Sequence, residues 1–268
     1  MASHSRAAAR YHGDQAAEPG MLDFAVNMRA AEPPSWLVDR LTARLTDLGR
    51  YPSAADERRA VTAVAARHGR SADDVALLAG GAEGFTLLAN LRPRLAALIA
   101  PWFTEPEAAL AAAGVPFRHV VLAPPFGLAG ARVPDLLDQM TARRPHWPLG
   151  TLQLEAVAAC SSPTAVAEAD RGAHRLAALR TAMVGGLTSI GLDVIDGCAP
   201  FVLFTVPDAE LMRKHLDGKG IAVRRCDTFV GLDGEYLRAA VRPHWPVLVD
   251  AIAEFTPMSR LREERMAP

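Results

Sequence analysis

Three short stretches of this 268-residue chain combine residue types that chemistry can use. Gly80-Gly81-Ala82-Glu83 falls where a short apolar run gives way to a helical pattern. Small side chains there leave the backbone N–H groups of a helix start open to an anion. Taken alone, the same turn is equally a plain strand-to-helix connection. Pro101-Trp102-Phe103-Thr104-Glu105 follows the next strand pattern, at the edge where open α/β sheets take ligands, and an aromatic ring there can stack on a flat one. Arg238, in the run Tyr236 to Arg242, offers a planar two-pronged donor for carboxylate or phosphate. In isolation the ring at Phe103 reads as core packing, Arg238 as a surface residue on an edge strand, and Tyr51 before Pro52 as a packed turn residue.

Scarcity is also informative. Lys plus Arg total 29, yet Lys214 and Lys219 are the only lysines, so any mechanism that needs an amine has two candidates. Lys214 sits among polar neighbours in a helical run and Lys219 between two glycines, and both read as solvated charges. The three cysteines, Cys160, Cys198 and Cys226, are far apart and form no CxxC, which argues against a disulfide framework and a zinc knuckle and predicts a reducing cytoplasm. No metal site is expected. A net charge of −1 offers no polyanion-binding surface, so nucleic acid is not an expected partner. No stretch approaches the ~18 apolar residues of a membrane span, and no apolar segment follows the Ala- and Arg-rich start.

The elements that must position these residues follow from periodicity. Leu22 to Asn27 reads as extended, and Ser35 as the N-cap of a helix through Leu48 closed by Gly49. Ser53 to Asp56 resembles a capping box for a second helix ending at Gly69. Val75 to Ala79, Leu95 to Ala100 and Phe117 to Leu122 predict three parallel strands alternating with helices, an α/β pattern. The alternation then stops at a Pro124 to Pro134 loop, followed by helices at Asp135 to Arg143, Thr151 to Ala159 and Thr164 to Ser189. Beyond Gly191, strands at Phe201 to Thr205, Ile221 to Arg224 and Tyr236 to Val241, with helices from Asp208 and Pro246, predict a small α+β unit. The division is an arm over 1–34, a large domain over 35–190, a small C-terminal domain over 191–258 and a tail over 259–268. Arg-Pro-His-Trp-Pro occurs twice, at 144–148 and 242–246, without matching flanks, and reads as an aromatic-anchored turn.

Five segments, in the same order, resemble the fold-type I pyridoxal-phosphate aminotransferases, of the histidinol-phosphate aminotransferase and threonine-phosphate decarboxylase kind. Leu22 to Asn27 looks like the family's segment crossing the substrate site, Arg50-Tyr51-Pro52 like the motif reaching the cofactor phosphate of a partner subunit, and Gly80 to Glu83 like the phosphate turn. Pro101 to Glu105 is similar to the stretch whose ring stacks on the pyridine, and Tyr236 to Arg242 to the strand whose arginine binds the substrate anion. The resemblance implies pyridoxal 5'-phosphate held by Gly81, Ala82, Glu83, Phe103 and Tyr51, and a small phosphorylated amino-acid or amino-alcohol substrate met by Asn27 and Arg238 in a homodimer. The Asp-Phe-x-x-Asn opening and Ala-Val-Arg ending look most like the cobalamin-pathway branch.

One part of the family plan is missing. The family's cofactor lysine and the asparagine and tyrosine at the ring oxygen have no counterpart in Pro124 to Met140, which holds no Lys, Asn or Tyr. Its only aspartates, where the family pairs one with the ring nitrogen, are Asp135 and Asp138 at the start of a predicted helix. Restoring the plan takes three or four strand-helix units, roughly a hundred residues. The expectation is an incomplete parallel-sheet large domain with a small C-terminal α+β domain, no catalytic residue and no covalent cofactor attachment. The alternatives are a non-catalytic anion-binding or scaffolding protein, and an unstable remnant.

Overall fold

The computed structural model describes residues 13–255 apart from 29, 31, 128–135 and 143. The expected tail, the start of the arm, most of the Pro124 to Pro134 loop and Asp135 lie outside the described residues.

Strand β1 (Leu22–Asp23) precedes helix α1 (Ser35–Thr42), a 3-10 turn at Leu45–Gly49 and helix α2 (Ala54–His68). Ser53 caps α2 by accepting the Asp56 N–H at 3.0 Å, and Gly69 closes it at φ 60, as the sequence predicts. The cap of α1 is corrected: Pro34 is the N-cap and Ser35 the first helical residue. The helix needs the carbonyl of its N-cap, not its N–H, and Pro34 supplies one at ψ 146. Gly49 is not left-handed, because the chain tightens into the 3-10 turn and leaves through an extended Arg50.

Helix α3 (Gly81–Ala89), strand β2 (Ala96–Ala100), helix α4 (Glu105–Ala112) and strand β3 (Phe117–Val121) follow. β2 and β3 pair in parallel from Ala96↔Phe117 to Ala100↔Val121. The predicted third strand is absent: Val75 to Ala79 joins no ladder, and Leu77 packs instead with Ala60, Leu149 and Leu154. An apolar run becomes a strand only beside another strand, and among the described residues none pairs with this one. Helices α5 (Leu137–Thr141), α6 (Thr151–Cys160) and α7 (Pro163–Ser189) complete this half.

The C-terminal part comprises strands β4 (Val194–Ile195) and β5 (Phe201–Thr205), helix α8 (Ala209–Asp217), strands β6 (Ile221–Ala222), β7 (Arg224–Arg225) and β8 (Tyr236–Ala240), and helix α9 (Trp245–Ala253). Its antiparallel sheet runs β4-β5-β8-β7. The single strand expected over Ile221 to Arg224 is two, because the chain turns at Val223 from a parallel pairing with β1 to an antiparallel one with β8. One core fills the space between this sheet and α7, α8 and α9, with Met183, Phe204, Met212, Leu237 and Ile252 all at 0% exposure, and it takes in Phe24 from the N-terminal arm.

Candidate functional site

The crossing segment after β1 is fixed by β-type and arginine contacts. Phe24 N–H donates to Ala222 O at 2.8 Å, and Ala240 N–H donates to Phe24 O at 2.7 Å, so the arm continues the sheet. The Asp23 carboxylate folds the next two residues by accepting the N–H groups of Ala25 and Val26. Arg242 then donates to the carbonyls of Asp23, Val26 and Met28, and Arg238 to Ala25 O at 3.2 Å. Sequence reasoning missed Arg242, whose partners are distant in the chain and carry no local signal.

Above this segment lies a cavity of about 670 Å³ that brings together Asn27, Phe103 and Arg238. Arg224, Cys226, Phe201 and Phe229 also line it. The Arg238 guanidinium lies 4.9 Å from the centre of the Phe201 ring and 5.9 Å from that of Phe229, while Arg224 lies 5.0 Å over Phe229. Its Nε is buried without a hydrogen-bond partner. Burial pulls the Arg238 pKa below its ordinary value and Arg224 adds to the effect, the condition that an entering anion would relieve. Cys226 is inert here, since burial pushes its thiol up to about 12 against the pull of the two arginines.

The Gly80 turn stands apart from this cavity, joined to it by Phe85, whose ring lies 6.4 Å from that of Phe103. Gly80 has φ 85, and a Cβ there would meet nothing, so the turn is open. Glu83 does not face outward. Its carboxylate accepts two bonds from Arg144, at 2.7 and 2.9 Å, and the Ala79 N–H. Those Arg144 bonds hold it below the usual carboxylate range despite its burial, with the Ala79 bond acting the same way. Tyr51 lines no part of the cavity: it is 77% exposed and stacks on Trp147 at 4.5 Å.

Neither lysine lines the cavity. Lys214 pairs with Glu210 and Lys219 with Glu254, both on the surface of the C-terminal part. Among the described residues no group of three His, Cys, Asp or Glu is placed to hold a metal ion, and no helix is long and apolar enough to cross a membrane.

Comparison with known proteins places this geometry in a family. The family described as aminotransferase class I and II matches residues 122–246. A histidinol-phosphate aminotransferase of Mycobacterium tuberculosis is 47% identical over 332 aligned positions, covering 93% of this chain and 91% of the relative. Among solved structures, the histidinol-phosphate aminotransferase of Clostridium acetobutylicum superposes with TM-score 0.77 at 15% identity, covering 90% of this chain and 100% of that one. The L-threonine-O-3-phosphate decarboxylase of Porphyromonas gingivalis does so with TM-score 0.68 at 15% identity, covering 87% and 99%. At such identities these two structures establish a shared fold. A related histidinol-phosphate aminotransferase from Sinorhizobium meliloti was solved in complex with pyridoxal 5'-phosphate, with TM-score 0.67 at 14% identity, covering 88% and 90%.

Proposed function

Because the chain belongs to the class I and II aminotransferase family, we propose that it binds pyridoxal 5'-phosphate and a small phosphorylated amino acid or amino alcohol, without completing the family reaction in this form. One observation carries the reading: a single cavity keeps Asn27, Phe103, Arg224 and Arg238, and no lysine lines it. The residues present fit the anionic and flat parts of such ligands. The orphaned Arg238 Nε and the open Gly80 turn are groups awaiting an anion, and Phe103 presents a ring. They do not fit covalent attachment, which needs an amine beside the ring.

When bound, the cofactor supplies an electron sink for bonds at a substrate's α-carbon. The chain's own part is to bind and orient. The first N–H groups of α3, at Gly81 and Ala82, have no intrahelical partner and suit a phosphate, with Glu83 bracing the turn behind them. Phe103 stacks on the ring, and Arg238 with Asn27 takes the substrate's anion. The exposed Tyr51 supports a homodimer in which it reaches the cofactor phosphate of a second copy. The Asp-Phe-x-x-Asn opening and Ala-Val-Arg ending favour the threonine-phosphate decarboxylase branch of cobalamin biosynthesis. The alignment with the mycobacterial relative runs over 332 positions, more than the 268 residues of this chain. That excess supports the absence of an internal block bearing the catalytic lysine.

The test is to add pyridoxal 5'-phosphate, reduce with borohydride and map labelled peptides by mass spectrometry. Saturable binding with only substoichiometric labelling is the expected result. A stoichiometric adduct on Lys214 or Lys219, with a spectral change on adding an amino acid, would overturn it.

A further inference from the structure

We propose that Arg144 is a positioning residue for the phosphate turn: it holds the Glu83 carboxylate behind the start of α3 and cancels its charge, so that the turn can accept an anion. The inference rests on the reading that Gly81 and Ala82 take a phosphate, and adds a residue to which nothing in that reading gives a role.

Glu83 is the third residue of α3, in the same first turn as the N–H groups of Gly81 and Ala82. An uncompensated carboxylate at that place repels a second anion and competes for the same helix-end field. The structure removes both effects. Arg144 is 10% exposed at its side chain and meets Glu83 through Nε and Nη2, the fork geometry that fixes a carboxylate in orientation as well as charge. The Ala79 N–H donates to Oε2, the oxygen that also accepts from Arg144 Nη2, and ties the carboxylate to the incoming segment. The result is a helix start whose own acid is neutralised and tied down.

A second observation points to the same stretch. Trp147, three residues on, has φ 53, a conformation that costs a bulky residue energy and persists only when its surroundings enforce it. It is spent on a largely exposed ring, stacked on Tyr51 at 4.5 Å with 19° between planes. The first Arg-Pro-His-Trp-Pro copy thus grips, within four residues, both elements assigned to the cofactor phosphate. Its second copy behaves alike: Arg242 grips the segment crossing the cavity, and Trp245 packs on Gly186 of α7.

The experiment titrates the full chain with pyridoxine 5'-phosphate and with pyridoxine, alcohols that cannot react with amines and differ only by the phosphate. Intrinsic fluorescence gives both dissociation constants. The wild type should prefer the phosphorylated form, and Arg144→Leu should reduce that preference about tenfold while leaving pyridoxine binding unchanged, the size expected for losing a charge-assisted pair. Arg144→Lys, which keeps charge but not the fork, should fall between them. Glu83→Gln combined with Arg144→Leu should recover most of the preference, because the unpaired acid is gone. No preference in the wild type would overturn the phosphate reading itself, and this inference with it. A wild-type preference that survives in Arg144→Leu, or that stays lost in the double variant, would overturn the positioning role alone. Should Arg144→Leu not fold, the Arg144→Lys and double variants decide by the same ratios.

Discussion

Phe204, Met212, Leu216, Leu237 and Ile252 lie fully buried in the core of the C-terminal part, whereas between Ser35 and Cys160 the one fully buried large side chain among the described residues is a carboxylate, Glu155. Arg40 and Arg59 donate to Glu155 at 2.8 and 2.6 Å, and Arg44 lies 3.5 Å away while bonding Asp56. The network ties α1, α2 and α6 together, beside the small apolar cluster of Ala60, Leu77, Leu149 and Leu154. The parallel pair β2-β3 is also thinly covered, with Val120 and Val121 exposed on a sheet in which no further strand pairs among the described residues. One region is held by a single large apolar core, whereas the other adds a charged network to two small apolar clusters, so they should respond differently to salt and acid.

The sharpest separation should come from Phe204→Ala, which empties the centre of the C-terminal core and should cost about 3–5 kcal/mol in denaturant unfolding. Glu155→Gln should cost about 2 kcal/mol, less than breaking a wholly buried pair, because Arg40 is 53% and Arg59 40% exposed. Added salt should shrink the Glu155→Gln effect and leave that of Phe204→Ala intact, and equal salt responses would break the comparison.

Acid should separate the regions next. For Glu155, burial opposes ionisation, but the bonds from Arg40 and Arg59 outweigh it and hold its pKa below the ordinary 4.5. The Arg44 bond does the same for Asp56 below 3.8, as Arg144 does for Glu83. Depressed carboxylates contribute stability that is complete above their ordinary values and lost as pH falls through the folded ones. Hydrogen exchange should therefore show amides of α2 and α6 losing protection below about pH 4.5 before those of β5 and β8. Simultaneous loss would show that the charge network does not govern its region. The smallest effect is expected for Val121→Thr, at a site 55% exposed, within about 0.5 kcal/mol of wild type by thermal unfolding.

Elements set by local pattern were legible in the sequence: the Ser53 cap, the Gly69 stop and the strands β5 and β8 needed only neighbours along the chain. Asn27, Phe103 and Arg238 were placed by resemblance, and they do share one cavity. What could not be read depends on partners far away in sequence. Val75 to Ala79 has the composition of a strand and, among the described residues, no strand to pair with. Ile221 to Arg224 looks continuous because nothing local shows that Val223 turns between two sheets. No local signal marks Glu155 as the acid on which distant arginines close, or shows that Glu83, taken by resemblance as a cofactor residue, is tied to Arg144, and β4, two residues long, is too short to show alternation.

The crossing segment has a consequence for the order of folding. Arg238 reaches Ala25 across 213 residues of chain, and Arg242 reaches Met28 across 214. Closing so long a loop carries a large entropic cost, recovered only once its far end is in place. The arm is made well before the strand that receives it, and must wait for it. The cavity wall is therefore expected to close late, on a C-terminal sheet already in place. A ligand touching both sides would act as a clasp on two segments far apart in the chain, raising the opening free energy of the arm above that of the segments around it.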